Sequence, residues 1–342
     1  MKRVVITGLG ALTPIGNNVS EYLDALQKGV SGANLITRFD ATHFKTQFAC
    51  EVKNFNAEDF IDKKEVRRID LFTQFAMVAA DEAVVDSGID LEKINLDRAG
   101  IIWGSGIGGL ATLEKEIGDY ARSNNGIPRF NPFMIPKMIP DIAAGQISIK
   151  YGFRGINYAT VSACASSSHA LVNSTDYIRL GKADIMIAGG SEAVITATGM
   201  GGFNSMKALS ERNSDPLTAS RPFDVDRDGF VLGEGAGAMI LEEYEHAKKR
   251  GAKIYGEIVG GGMTADAYHI TAPHPEGLGA KNVMIQALAD AKLNISDVGY
   301  INVHGTSTPL GDIAEVRAIK HVFGDNAYNL NISSTKSMTG HL

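Results

Sequence analysis

The chain has 342 residues, of which 44% are hydrophobic and 21% charged, an ordinary composition for one large globular domain or two of moderate size. Its 33 Lys and Arg against 39 Asp and Glu give a formal net charge of −6, which argues against a nucleic-acid-binding protein. No apolar stretch approaches the roughly eighteen residues of a membrane helix, and two distant cysteines, Cys50 and Cys164, exclude a disulfide framework. We therefore expect a soluble, cytoplasmic protein with no nucleic-acid or membrane partner.

Short β-rich runs alternate with helical patterns: residues 3–7 precede 22–27, residues 99–103 precede 110–120, and residues 185–188 lie between two helical stretches. This alternation predicts an α/β protein with buried sheets. The spacing predicts a helix over 70–87, which Gly88 caps. Its core-facing apolar stripe consists of Phe72, Phe75, Ala76, Ala79, Ala83 and Val84.

A further helix is predicted over 241–253, with acids first, bases last and a glycine near its end, as the helix dipole prefers. A strand over 254–259 follows. We place the boundary between an N-terminal half, 1–252, and a C-terminal half, 253–342, at this point, and expect the halves to share one core.

Residues 104–109, GSGIGG, follow the strand-like AGIIW and fit the dinucleotide pattern GxGxxG. The acid that should end a second strand about 20 residues later is missing, because that region reads NNGIPRFNPF. A nicotinamide-dependent oxidoreductase is therefore a weak alternative.

Residues 157–171, NYATVSACASSSHAL, pass from a β-rich approach into a helical run and put Cys164 at a strand-to-helix turn. A helix N-terminus favours a thiolate over a thiol, which suits a nucleophile. A free cysteine is as commonly a small buried hydrophobe. This stretch alone leaves both interpretations open.

Two later segments, YINVHGTSTPLGD and SSTKSMTGHL, deliver His304, Lys336 and His341 beside glycine and small hydroxyl residues. Together with a cysteine at a turn they suggest Cys-His-His chemistry. His269 and His274 in DAYHITAPHPEG lack further converging ligands, so we expect a rim loop and no metal.

The motifs ACASSSH, VHGTSTPLGD, STKSMTGHL and RPFDVDRDGFVLGEGAGAMILEE resemble those of the elongating β-ketoacyl-[acyl carrier protein] synthases, the type II enzymes most closely. The resemblance runs from Lys2 to Leu342. It implies a thiolase-like five-layer αβαβα sandwich of two similar halves, the first carrying the cysteine and the second the histidines. It also implies decarboxylative condensation of an acyl group on Cys164 with malonyl-[acyl carrier protein] in fatty acid elongation. A homodimer is implied too, with no cofactor of its own, because the phosphopantetheine arm belongs to the carrier protein.

The same resemblance implies roles for individual residues. His304 and His341 stabilise the enolate formed from the malonyl group, and Lys336, paired with Glu315, supports them electrostatically. The phosphopantetheine arm is held by Thr306 and Thr308, and the acyl pocket is lined by Ile107 and Phe203. The expected carrier-docking residues are Lys63, Lys64, Arg67, Arg68, Arg129 and Lys207.

Several related classes are set aside by the same residues. Initiating synthases carry Asn where this chain has His341, and inactive chain-length factors lack the cysteine. A non-catalytic partner subunit of the same fold stays open as an alternative. The sequence stops directly after His341 and Leu342, whereas members of the family continue, so we expect the C-terminal half to be incomplete at its end.

Overall fold

The computed structural model describes residues 1–123 and 126–342. Among these residues, no helix combines the length and the apolar character needed to cross a membrane. The strands are β1 Val4–Leu12, β2 Asn34–Leu35, β3 Phe48–Ala49, β4 Ala99–Gly104, β5 Asn157–Thr160, β6 Ile185–Glu192, β7 Gly235–Glu243, β8 Gly256–Glu257, β9 Tyr300–Asn302 and β10 Asn331–Ser333. The helices are α1 Val19–Gln27, α2 Lys63–Val66, α3 Leu71–Ser87, α4 Leu110–Arg122, α5 Met134–Met138, α6 Ile142–Tyr151, α7 Ser166–Arg179, α8 Ala197–Ser205, α9 Tyr244–Lys249, α10 Leu278–Ala291, α11 Pro309–Phe323 and α12 Lys336–Thr339.

A six-stranded mixed sheet forms the centre of the N-terminal half, in the order β5-β4-β6-β7-β1-β8. Strand β4 is parallel to both β5 and β6, with Ala99 opposite Ile185 and Gly104 opposite Gly190. Strand β7 is antiparallel to both β6 and β1. The carboxyl ends of β4, β5 and β6 therefore lie at one edge of the sheet, where the loops that follow them meet.

Alternate residues of the central strands enter two different cores, as the period of two in a strand requires. Ile101 and Ile187 join the cluster formed with α3 and α6. Their neighbours Ile102 and Ala188 join the cluster formed with α7. Helices therefore cover both faces of the sheet, and β4 and β6 are buried along almost their whole length.

The helix predicted over 70–87 is α3, and its predicted apolar stripe is buried. Asp70 caps the start by accepting a hydrogen bond from the backbone N–H of Phe72, and Gly88 ends it in the left-handed conformation at φ +61°. The helix lies directly on β1, where a Cβ on Gly10 would be 1.9 Å from the carbonyl oxygen of Ala79. Glycine is needed there because the two backbones touch.

The helix predicted over 241–253 is too long at its start. Residues 241–243 continue β7, and only Tyr244–Lys249 is helical. Glu242 is fully buried, with its carboxylate bonded to Thr7, His246 and Arg250. Its acidic side chain suggested a helix start, whereas pairing with strands on both sides decides the local structure.

The C-terminal half contributes a parallel pair, β9 and β10, with α10 and α11 packed beside it around Val303, Ile319 and Phe323. The strand predicted over 254–259 is reduced to β8, Gly256–Glu257. In the segment SSTKSMTGHL, residues 331–333 form β10 up to its first serine, and Lys336 begins the short helix α12.

Candidate active site

The turn that carries Cys164 connects β5 to α7 through one turn of 3₁₀-helix, Ala163–Ala165. Ala163 has φ +50°, an uncommon conformation for a residue with a side chain. Ser166 stabilises the turn from inside, since its Oγ donates to the carbonyl oxygen of Ala163 at 2.7 Å and accepts from the backbone N–H of Ser162 at 2.9 Å. The turn leaves Cys164 exposed just ahead of the helix.

Two glycines of the sheet allow the start of α7 to lie directly on β4 and β6. A Cβ on Gly104 would be 2.5 Å from the backbone nitrogen of Ser167, and a Cβ on Gly190 would be 1.9 Å from Ser167 Oγ. Any larger residue at either position would push the helix, and the thiol before it, away from the sheet.

His341 reaches Cys164 from the far end of the chain, with its Nε2 3.1 Å from the cysteine Sγ. Its backbone is bound on both sides, because its N–H donates to Val231 and its carbonyl accepts from Gly233. The Nδ1 atom is 2.7 Å from the backbone oxygen of Leu342, and Nε2 faces the thiol. A proton on Nδ1 would leave Nε2 as the acceptor for the thiol proton.

His304 lies beside His341, with ring centroids 5.3 Å apart and ring planes at 89°. Glu315 on α11 holds its backbone: one carboxylate oxygen accepts from the N–H of His304 and the other from Gly305, both at 2.7 Å. Among the described residues the His304 ring has no hydrogen-bond partner, so its ring N–H is available to a bound molecule.

Lys336 acts on the site through its charge. That charge acts to lower the pKa of Cys164, His304 and His341. Burial lowers the pKa of Lys336 itself, and the charges of Glu315 and Cys164 act to raise it. Lys336 and Glu315 affect each other's pKa through their charges, without a direct hydrogen bond between them in the described parts of the chain. Both oxygens of Glu315 are taken by backbone N–H groups.

Loss of hydration controls the protonation states of the site. It lowers the pKa of His304 to about 3 and that of His341 to about 4, so both rings are neutral at pH 7. It also raises the pKa of the Cys164 thiol above its ordinary value, against the opposing effects of the Cys164 backbone N–H and the charge of Lys336. The helix N-terminus was expected to favour the thiolate, and burial of the Cys164 thiol acts against that effect.

The donor atoms of Cys164, His304 and His341 all lie within 4.8 Å of one another, close enough to share a soft metal ion. The positive charge of Lys336 opposes a bound cation at the same place. In the predicted rim loop, His269 Nδ1 accepts backbone N–H groups of Thr271 and Ala272 instead of facing a ligand.

The segment 221–229, part of one of the recognised motifs, binds the loop that follows His304. The backbone N–H of Arg221 donates to Ser307 Oγ at 3.0 Å, and Arg227 Nε donates to the Thr308 carbonyl at 3.1 Å. Asp312 accepts from the backbone N–H of Phe223 at 2.8 Å. This part of the motif connects the two halves next to the site.

The structure brings some of the expected substrate-binding residues to the site. Thr306 and Thr308, two and four residues beyond His304, lie with their hydroxyl oxygens 3.1 Å apart. Phe203 packs edge-on against Phe230, which in turn lies 5.4 Å from the ring of His341. Sequence reasoning missed Phe230, although it stands inside the recognised motif DRDGFVLGEG.

The loop 104–109 does not offer its backbone to a phosphate group. The N–H groups of Gly106, Ile107 and Gly108 all donate to the carboxylate of Glu192, at 2.8, 3.1 and 3.3 Å. A dinucleotide pyrophosphate would need these same donors. The geometry therefore argues against the oxidoreductase alternative. The side chain of Ile107, on the same loop, is exposed.

The residues expected to dock the carrier protein are all on the surface. Two of them are paired within their own segment, Lys63 with Glu58 at 3.1 Å and Arg68 with Glu65 at 2.8 Å. In the described parts of the chain, Lys64 and Arg67 have no such partner. The others in this set are Arg129 and Lys207.

An α/β fold that presents an exposed cysteine against a histidine is the arrangement of enzymes that work through a thiol nucleophile. Two family models match this chain: "Beta-ketoacyl synthase, N-terminal domain" over residues 1–247 and "Beta-ketoacyl synthase, C-terminal domain" over residues 255–342. The chain belongs to the β-ketoacyl synthase family, and it is an acyltransferase of the condensing type.

Individual relatives agree with this assignment. The chain is 52% identical over 341 residues to a 3-oxoacyl-[acyl-carrier-protein] synthase 2 from Synechocystis sp., covering all of this chain and 82% of the relative. A crystal structure of a β-ketoacyl synthase from Burkholderia phymatum superposes with a TM-score of 0.90 at 36% identity, over 100% of this chain and 82% of the other. A chain from the solved complex of a type II PKS acyl-carrier protein with its ketosynthase superposes with a TM-score of 0.88 at 35% identity. The superposition covers 99% of this chain and 82% of the other. The predicted thiolase-like α/β fold is confirmed.

Proposed function

We propose that this chain is a 3-oxoacyl-[acyl carrier protein] synthase that extends fatty acyl chains by decarboxylative condensation. The observation that carries the proposal is the 3.1 Å contact between Cys164 Sγ and His341 Nε2, with His304 beside it. A nucleophile in reach of a base is the arrangement that covalent acyl transfer needs. A non-catalytic partner subunit does not require a contact between a nucleophile and a base.

In the first half-reaction the thiol of Cys164 gives its proton to His341 Nε2 and attacks the thioester carbonyl of an acyl carrier. A carbon–sulfur bond forms to Cys164, and the bond to the carrier sulfur breaks. The departing phosphopantetheine thiolate takes the proton back from His341. The raised pKa of Cys164 makes this proton transfer necessary, because the resting group is a thiol.

In the second half-reaction a malonyl carrier loses CO₂ and leaves an enolate on its thioester oxygen. The His304 ring N–H donates to that oxygen, and its low pKa keeps the ring neutral, so that it donates without transferring its proton. The enolate carbon then attacks the acyl–Cys164 carbonyl. A carbon–carbon bond forms, the bond to Cys164 breaks, and the released cysteine thiolate takes up a proton from solvent.

We assign the reaction to protein side chains alone, with no metal or cofactor of the enzyme, because each step above uses a named side chain. The partner is an acidic acyl carrier protein whose phosphopantetheine arm reaches the site past Thr306 and Thr308. Lys64 and Arg67 support this docking, since they are exposed and lack acidic partners in the described segments. A related ketosynthase has been solved with its acyl carrier protein, which supports the same partnership here.

We also propose a cytoplasmic homodimer formed through β5. This strand pairs with β4 on one side and stands at the end of the sheet, so its other edge can continue the sheet into a second copy. Val161, directly after β5, is 61% exposed, and Ile135 on α5 is 55% exposed. Apolar side chains of this kind are the usual contacts of an obligate dimer.

The test of function is covalent labelling with radiolabelled acyl carrier thioester. The wild-type protein and a Cys50→Ala variant should hold label, and Cys164→Ala should not. Cys50 is a matched control because it is 2% exposed, and burial raises its pKa to about 12, so it is not acylated. Label retained in Cys164→Ala, or an unlabelled but folded wild-type protein, would contradict the proposal and favour a non-catalytic subunit.

A further inference from the structure

Glu192, at the carboxyl end of β6, binds the whole of the loop between β4 and α4. Its Oε2 accepts from the backbone N–H groups of Gly106 at 2.8 Å and Ile107 at 3.1 Å. Its Oε1 accepts from Ser105 Oγ at 3.2 Å and from the Gly108 N–H at 3.3 Å. One side chain therefore accepts a hydrogen bond from each of four consecutive residues of the loop.

Successive backbone N–H groups that point to one place form an anion-binding nest. In many proteins such a nest holds a phosphate, but here the protein supplies the anion itself. A Cβ at position 106 would lie 3.1 Å from Glu192 Oε2, a tight contact, and Gly108 adopts φ +76°, a conformation that favours glycine. The loop conformation and the carboxylate are thus matched to each other.

The same loop touches the turn that presents the nucleophile. A Cβ on Gly106 would lie 3.6 Å from the carbonyl oxygen of Ala163 and 3.7 Å from its Cα, directly before Cys164. Ile107, the next residue, is 41% exposed. The position of the Ile107 side chain relative to the acylated cysteine therefore depends on where Glu192 holds the loop.

Proton transfer is not the role that this arrangement favours for Glu192. Both carboxylate oxygens are occupied by donors of the loop, and no oxygen is left facing a substrate. Burial raises the pKa of Glu192, and the four hydrogen bonds act against that shift. A carboxylate enclosed in this way holds structure in place.

We propose that Glu192 is a positioning residue that sets acyl-chain selectivity by fixing the loop 104–109, and with it Ile107, against the nucleophile turn. This inference rests on the proposed function for its acyl substrates. It assigns the residue an effect on which chain enters the site, while the chemistry at Cys164, His304 and His341 is left intact.

The test is Glu192→Gln in the protein, measured as kcat/KM for a short and a long acyl carrier substrate. Gln replaces one accepting oxygen with an NH₂ that faces backbone N–H groups, a loss comparable to about 1.5 kcal/mol. The ratio of kcat/KM between the two chain lengths should therefore change about tenfold. Decarboxylation of malonyl carrier does not use the acyl pocket. Its kcat/KM in the variant should stay within about twofold of the wild-type value.

Glu82→Gln is the matched control, because the Glu82 carboxylate also accepts two backbone N–H groups, from Ala11 and Val19, both at 2.8 Å. It should lower thermal stability and leave the chain-length ratio unchanged. If Glu192→Gln fails to fold, Ser105→Ala removes one donor of the same network and should shift the ratio in the same direction by a smaller factor.

An unchanged ratio in the folded Glu192→Gln or Ser105→Ala variant would overturn the inference, as would an equal loss for both chain lengths and for decarboxylation. Failure of the proposed function is a separate result. It would appear as a wild-type protein that does not label at Cys164 with any chain length.

Discussion

Glu315→Gln tests whether the acid on α11 supports the site by holding the backbone of His304. Each oxygen of Glu315 accepts one backbone N–H, from His304 and from Gly305, at 2.7 Å. Gln keeps one acceptor and turns an NH₂ group toward the other N–H. The loss is one hydrogen bond to a charged acceptor, about 2 kcal/mol. At about 1.4 kcal/mol per factor of ten, it lowers the population of the ordered loop by up to about 30-fold.

Because His304 is assigned to the enolate, this loss should appear in malonyl decarboxylation and much less in alkylation of Cys164 by iodoacetamide. The first rate is measured as release of labelled CO₂, and the second as loss of free thiol. Glu21→Gln is a suitable control, since Glu21 accepts a backbone N–H of Asn17 on the surface of the first half. Decarboxylation at the wild-type rate, or an equal decrease of both rates, would refute the assignment of Glu315 to the His304 backbone.

Three further predictions concern the chemistry and the carrier. His304→Ala should still be acylated at Cys164 but should decarboxylate malonyl carrier at least about 100-fold more slowly, the usual effect of losing one oxyanion donor; a normal rate would exclude that role. Lys336→Met should move the pH profile of Cys164 alkylation to higher pH, because the charge of Lys336 lowers the pKa of the thiol; an unmoved profile would show that its charge is not felt there. Charge reversal at Lys64 and Arg67 should raise KM for carrier substrates and weaken its dependence on salt, with small thioester analogues unaffected; equal loss with both substrate types would indicate misfolding.

The elements around the nucleophile could be predicted because their signals are local. A β-rich run followed by small residues and a helical pattern predicts a turn at Cys164, and the turn is present between β5 and α7. His304 and His341 stand beside glycines and small hydroxyl residues, which marks them as site candidates. Their mutual approach also follows from the recognised motifs.

The remaining features depend on contacts between distant segments, which no local pattern records. In the sequence, Glu242 suggests the start of a helix. In the structure it lies in a strand, where its carboxylate is hydrogen-bonded to His246 and Arg250. The direction of the Cys164 pKa depends on how much water its neighbours remove, against the local effect of the helix. Glu192 ends the buried strand β6, and no local pattern marks it. Its role is visible only once the loop 104–109 is folded around its carboxylate.

Cys164 and His341 are 177 positions apart, and the contact between them has a consequence for synthesis. A ribosome delivers the cysteine long before the histidine, and the first half can begin to fold in that interval. In such a nascent chain the cysteine has no base to take its proton. In the proposed mechanism, acylation of Cys164 therefore waits until the segment that carries His341 reaches the turn, so the order of the two residues in the sequence delays the reactivity of the thiol.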